Sequence, residues 1–136
     1  MSIKKDAQTA HANLLEKTDP EALERINHFA FDEVQADVDL PDRTKMLSTL
    51  AYLLGMQGVD EYKVMLPVAL DNGVSPVEAK EVLYQAVDYL GLGRVFPFFN
   101  ATNDVLRARG VEMPLPSQSI TTMDNRFEKG EETQIR

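Results

Sequence analysis

The chain has 136 residues, of which 43% are apolar, and this length and composition predict one domain with a hydrophobic core. The formal net charge of −8 repels phosphate backbones and anionic lipid surfaces, so we expect no nucleic acid and no membrane as partner. The sequence contains no cysteine, which excludes disulfides, cysteine-ligated metals and thiol redox cycles.

The N-terminal segment, residues 1–17, is polar and helical in tendency. It lacks the apolar stretch of a secretory signal, and no run in the chain approaches the length of a spanning helix. We therefore expect a cytoplasmic location, and we expect His11 in this segment to be solvated.

The first strong helix begins at Asp19-Pro20, where an N-cap residue precedes a proline at the first helical position. Apolar residues then recur at helical spacing to about Asp37. His28 lies on this helix and is typical of a surface or interface histidine. The two histidines are far apart and show no metal-ligand spacing, so we expect no metal.

The centre of the chain predicts a helical hairpin that follows a leucine-rich helix. Its first arm starts near Asp60 and stops at Asn72-Gly73, and Pro67 should kink it. Its second arm starts at Ser75, which has capping-box spacing to Glu78.

A fifth helix follows a Gly-Leu-Gly connector and ends at Gly110, with Pro97 either kinking it or setting its start. No segment has the pattern of a strand, so the fold class is all-α. We expect a helical domain over residues 18–112, followed by a linker and a short C-terminal helix over 113–136.

Three segments in order resemble the carboxymuconolactone decarboxylase family. They are a leucine-rich helix, the hairpin and the helix that closes it: LPDRTKMLSTLAYLLG, ALDNGVSPVEAKEVLYQ and DYLGLGRVFPFFNATNDVL. The tail, LPSQSITTMDNRFEKGEETQ, is similar to the linker between the halves of two-domain members. The chain thus resembles the N-terminal half of such a member.

This resemblance implies an alkylhydroperoxidase D-like helical bundle around the two-helix hairpin, assembled as a trimer or hexamer. It implies an active site near the hairpin, partly between subunits. We expect no cofactor. The family decarboxylase removes CO2 from a muconolactone carboxylate, so an active chain would be a lyase. Redox relatives use a Cys-x-x-Cys pair, and the lack of cysteine excludes that activity here.

Alignment with the family places its usual histidine at Met65 and its Arg-Glu pair at Lys45-Met46. A thioether cannot carry a proton, and lysine lacks the bidentate fork of arginine. These differences predict that the usual acid and base residues are missing. On that interpretation a Glu61→Gln substitution leaves any turnover unchanged.

If the chain is an enzyme, the candidate catalytic residues are Glu61 as general base, with Tyr62 or Tyr84 assisting. The candidate substrate-binding residues are Arg43, for an anionic group, with Lys45, Met46, Met65 and Tyr89. Each has a structural alternative, since first-turn acids favour the helix dipole, tyrosines pack, and arginines form ion pairs.

Three functions remain open on the sequence. The first is a decarboxylase-like protein acting on a small organic acid or lactone. The second is a non-catalytic domain that builds a homo-oligomer, and the third is a binding module for a small apolar ligand around Met46, Met65 and Tyr84.

Overall fold

A computed structural model describes residues 2–135, and it contains helices and no strand in that range. A π-helical segment, Asn27–Val34, joins α2 to α3. The α-helices are α1 (Ile3–Leu15), α2 (Pro20–Ile26), α3 (Gln35–Asp37), α4 (Asp42–Gly55), α5 (Val59–Asp71), α6 (Pro76–Leu90), α7 (Leu92–Ala108) and α8 (Arg126–Ile135). The predicted all-α class is confirmed.

Helix α5 is central, because α1, α4 and α7 all pack against it. Its residues Tyr62, Leu66 and Ala69 are completely buried. Helix α6 packs against α4 and α7, so that the two arms of the predicted hairpin share neighbours. Burial of leucine, valine and aromatic side chains along these helices supplies the main stabilising free energy.

The connection from α5 to α6 has the predicted local signals. Helix α5 ends at Asp71 with Asn72 as its C-cap, and Gly73 has a φ of 99°, a left-handed conformation that favours glycine. The Ser75 hydroxyl accepts from the Glu78 backbone N–H, and the Glu78 carboxylate accepts from the Ser75 backbone N–H. The predicted stop and the predicted capping box are both confirmed.

The start of α7 falls inside the predicted Gly-Leu-Gly connector, and the structure decides between the two alternatives for Pro97. Gly91, with a φ of 80°, makes the turn, and the helix begins at Leu92. Pro97 lies inside the helix rather than at its start. One proline removes a single backbone donor, and packing of Val95 and Phe98, both buried, compensates for that loss.

Helix α1 belongs to the same core as the other helices, since Ile3, Ala7 and His11 are all buried. These residues are spaced by four, so they lie along one side of the helix. The expectation that His11 is solvated is therefore wrong.

The C-terminal segment ends in α8, none of whose residues is buried. No helix within residues 2–135 has both the length and the apolarity that a bilayer crossing requires.

Candidate active site

A cavity of about 540 Å³ lies between α1, the π-helical segment, α4 and α5. Its walls are mostly apolar. Phe31 comes from the π-helical segment, Met46 and Leu53 from α4, and Met65 from α5. π-helical turns occur frequently at functional sites, and this one contributes directly to the cavity wall.

A histidine–carboxylate pair borders this cavity. His11 Nε2 lies 2.7 Å from Glu61 Oε1, and His11 Nδ1 lies 2.9 Å from the Ala7 carbonyl oxygen. The histidine is 5% exposed, whereas 43% of the Glu61 side chain is accessible to solvent. The pair is therefore sheltered on the imidazole side and open to solvent on the carboxylate side.

The hydrogen bonds of His11 determine where its protons lie. A carbonyl oxygen only accepts, so Nδ1 must carry a proton and donate it to Ala7. Nε2 then faces a carboxylate at hydrogen-bond distance, and this contact needs a second proton between the two atoms. The pair thus holds one transferable proton at Nε2, at the edge of the cavity.

The surroundings of His11 favour its protonated form. The hydrogen bond that Glu61 accepts from His11 raises the pKa of the imidazole above its usual value; the charge of Glu61 and the Ala7 carbonyl raise it further, and burial acts in the opposite direction. A histidine with a raised pKa is suited to donating a proton near neutral pH.

Lys45 is the remaining charged residue among those that line the cavity. Its side chain is partly buried, and none of the carboxylates in residues 2–135 lies within 4.0 Å of its ammonium group. Ser48 and Tyr52, from the same helix, add hydroxyl groups to the wall. An ammonium without a protein counter-ion beside an apolar cavity can bind an anionic group of a ligand.

Four of the residues predicted from the sequence meet at this cavity. Glu61 is a member of the histidine–carboxylate pair, and Lys45, Met46 and Met65 line the wall. They come together because α4 and α5 pack against each other, which brings these positions to one cavity. Their roles in catalysis or binding stay predictions.

The structure does not bring the other predicted residues to the cavity. Tyr62 is completely buried on the other side of α5, where its hydroxyl lies 2.9 Å from Thr102 Oγ1. Tyr84 and Tyr89 are exposed on α6, and Arg43 forms an ion pair with Glu78. Tyr62 is separated from the cavity because consecutive helical residues point about 100° apart.

His11 is the functional candidate that sequence reasoning missed. A titratable pair is present although the aligned family positions carry Met65 and Lys45-Met46, because its imidazole comes from α1 rather than from α5. The signal was present in the repeat of Ile3, Ala7 and His11, which places the histidine on an otherwise apolar side of a helix.

Fold and site together define an all-helical protein with a histidine–glutamate pair at an apolar cavity. A family model described as the carboxymuconolactone decarboxylase family matches residues 20–104. The chain therefore belongs to the carboxymuconolactone decarboxylase family.

A curated relative is named 4-carboxymuconolactone decarboxylase and comes from Acinetobacter baylyi (strain ATCC 33305 / BD413 / ADP1). It is 31% identical to this chain over 86 residues, which are 63% of this chain and 64% of the relative. The chain thus spans less than two thirds of the length of the relative it matches.

The position of His11 relative to this match is informative. The family model begins at residue 20, so it covers Glu61 and Met65 but not His11. Within residues 2–135 there is no cluster of three or more histidine, aspartate or glutamate side chains arranged to hold a metal ion. The site thus combines residues from the matched helices with a histidine from outside the matched region.

Proposed function

We propose that this chain is an acid–base enzyme of the decarboxylase type, acting on a small organic acid or lactone in the cavity between α1 and α5. The observation that supports this most is the 2.7 Å contact between His11 Nε2 and Glu61 Oε1 at the cavity edge. Family membership and the name of the relative from Acinetobacter support a decarboxylation as the reaction class.

The proposed reaction needs one proton. The substrate carboxylate is attached to the saturated ring carbon of an unsaturated lactone. When it leaves as CO2, the electron pair of the broken C–C bond is delocalised through the ring double bond onto the lactone carbonyl. The proton at His11 Nε2 then moves to the carbon that carries this electron pair. Solvent reprotonates the pair through Glu61, whose side chain is accessible.

The other cavity residues would assist this step. Lys45 attracts the substrate carboxylate, and the methionine and leucine walls exclude water from it. Loss of CO2 disperses the negative charge, so a poorly hydrated carboxylate lies closer in free energy to the transition state. The cavity volume of about 540 Å³ is in the range of small-molecule sites.

The test measures CO2 release from two substrates, 4-carboxymuconolactone and a butenolide that carries a single carboxylate at its saturated ring carbon. We expect His11→Gln to lower kcat on the accepted substrate by about 10²- to 10⁴-fold. Glu61→Gln should cause a loss of similar size, because the pair acts as a unit.

The matched control is His28→Gln, since His28 lies on the surface and its contact is to Glu33, outside the cavity. It should leave turnover unchanged. Absence of CO2 release by the wild-type protein from both substrates, or full activity of His11→Gln, would contradict the proposed function.

A second candidate function is binding of a small apolar ligand without turnover. The apolar wall around Met46 and Met65 favours it. Saturable binding of a ligand that the wild-type protein never converts would support this alternative.

We also propose that the chain forms a homo-oligomer, as an enzyme or as a non-catalytic oligomer-building domain. Tyr89, Leu92 and Phe96 lie close together in sequence around the α6–α7 turn, and all three are exposed. Exposed aromatic and aliphatic side chains are typical of subunit contacts. Light scattering of the wild-type protein and of a Phe96→Ser variant would test this assembly.

A further inference from the structure

We infer that the substrate of this site is a monocarboxylate whose remaining skeleton is apolar. This inference rests on the proposed function and narrows it. The charges that line the cavity and the chemistry of its walls support it.

The cavity offers one unit of uncompensated positive charge. Three side chains that line it carry charge, namely Lys45, His11 and Glu61. Protonated His11 and ionised Glu61 neutralise each other across their hydrogen bond, which leaves the Lys45 ammonium. One carboxylate is therefore balanced by the site, and a second one is not.

A second carboxylate would also be poorly solvated. Apart from a few hydroxyl and amide groups, the wall consists of aliphatic, thioether and aromatic carbon, including Leu53, Met46 and Met65. A charge placed against such a wall loses its hydration without gaining a partner. The net charge of −8 on the whole chain adds a long-range repulsion of dianions.

The apolar part of the substrate has a defined place as well. The π-helical segment, α4 and α5 present their apolar side chains to the same cavity, whereas Lys45 and the His11–Glu61 pair are the charged groups at its border. A ring or short hydrocarbon body would be held by the walls, with its single acidic group directed to Lys45.

The experiment compares three ring compounds of the same shape by isothermal titration at neutral pH. They are 4-methylbenzoate with one carboxylate, terephthalate with two, and 4-methylbenzamide with none. We expect 4-methylbenzoate to bind about tenfold or more tightly than either of the others. Equal or tighter binding of terephthalate or of the amide, or no binding of any of the three, would overturn the inference.

A matched pair of variants locates the charge. Lys45→Met should remove the advantage of 4-methylbenzoate over the amide, since the carboxylate then has no ammonium group in the cavity with which to form an ion pair. Lys63→Met changes the net charge by the same amount, but Lys63 is exposed on α5 and does not line the cavity. It should retain the advantage, and its loss there would place the anion outside the cavity.

Failure of this inference can be separated from failure of the proposed function. Preference for the monocarboxylate together with no CO2 release would sink the proposed function and leave the inference standing. CO2 release from 4-carboxymuconolactone together with tighter binding of terephthalate would do the opposite.

Discussion

The two sides of helix α5 differ sharply, although their key residues, Glu61 and Tyr62, are neighbours in sequence. On one side, Tyr62 is completely buried, its hydroxyl pairs with Thr102, and its ring contacts Phe98 edge to face at 5.1 Å between centroids. On the other side, Glu61 pairs with His11 beside a cavity and remains partly open to solvent.

The comparison shows how to distinguish a structural polar pair from a candidate catalytic one. The tyrosine–threonine pair has no space for a substrate beside it, because close packing surrounds it. The histidine–glutamate pair has space beside it and a transferable proton. Polar groups of similar geometry can thus serve different purposes according to what lies next to them.

The largest expected effect on stability is on the side of α5 that carries Tyr62. Phe98→Ala removes a buried ring that packs against Tyr62, and we expect it to lower the free energy of unfolding by about 3–5 kcal/mol. Urea denaturation followed by circular dichroism measures this change. Phe127→Ala on the exposed helix α8 is the control and should have almost no effect. Similar small losses for both variants would contradict the assignment of Phe98 to the core.

A double variant tests the assignment of proton transfer to the side of α5 that carries Glu61. Met65 lies four residues after Glu61, on the same side of α5, and it lines the same cavity. Adding Met65→His to His11→Gln should therefore restore turnover at least about tenfold relative to His11→Gln alone, since general acids contribute 10²- to 10⁴-fold. Steady-state kinetics at neutral pH measures the recovery. Met65→Gln in the same background is the control, and recovery with glutamine would exclude proton transfer as the reason.

A double-mutant cycle tests whether the tyrosine–threonine pair is structural. Tyr62→Phe should cost about 1 kcal/mol of unfolding free energy, because it leaves the buried Thr102 hydroxyl without its partner. Combining it with Thr102→Val should recover part of this loss, since both polar groups are then gone. Turnover should not change in any of these variants. A lower turnover in a variant that is fully folded would assign Tyr62 a role in catalysis.

The smallest expected effect is the pH dependence of stability. Glu61 raises the pKa of folded His11, so the pair stabilises the folded state fully below the unfolded pKa of about 6.5, and this contribution is lost as pH rises through the folded value. Because Glu61 is partly exposed, we expect less than about 1 kcal/mol. Denaturation of wild type and His11→Gln between about pH 5 and pH 8 measures it.

Tyr62, on the other side of α5, provides the control for this titration. Burial raises the pKa of Tyr62 above its usual value, so Tyr62 does not titrate in that pH range. Tyr62→Phe should therefore keep the wild-type slope. A free energy of unfolding that rises with pH more steeply in the wild-type protein than in His11→Gln would contradict the His11–Glu61 interaction.

Much of the fold was predictable because its signals are local. The Asn72-Gly73 stop, the Ser75–Glu78 capping box and the helical class depend on residues within a few positions of one another, and the structure has all three. The start of α7 was less predictable, because packing of buried residues decided that Pro97 is accommodated within the helix.

The candidate site was predictable only in part. Residues on α4 and α5, such as Lys45, Glu61 and Met65, were found because the family resemblance covers those helices. His11 was not, since it lies before the matched region, in a segment whose overall composition is mostly polar. Tyr62 and Tyr84 were plausible from residue type, but helical orientation directs them elsewhere.

The amino-acid sequence by itself determined the helical class, the capped connection between α5 and α6, the absence of thiol chemistry and the family resemblance. Each of these follows from composition or from interactions within about one helical turn. Only the tertiary structure decided that His11 and Glu61, 50 positions apart, form a pair at a cavity. Such a contact depends on the docking of α1 against α5, which is driven by burial of a whole helix side rather than by any local signal.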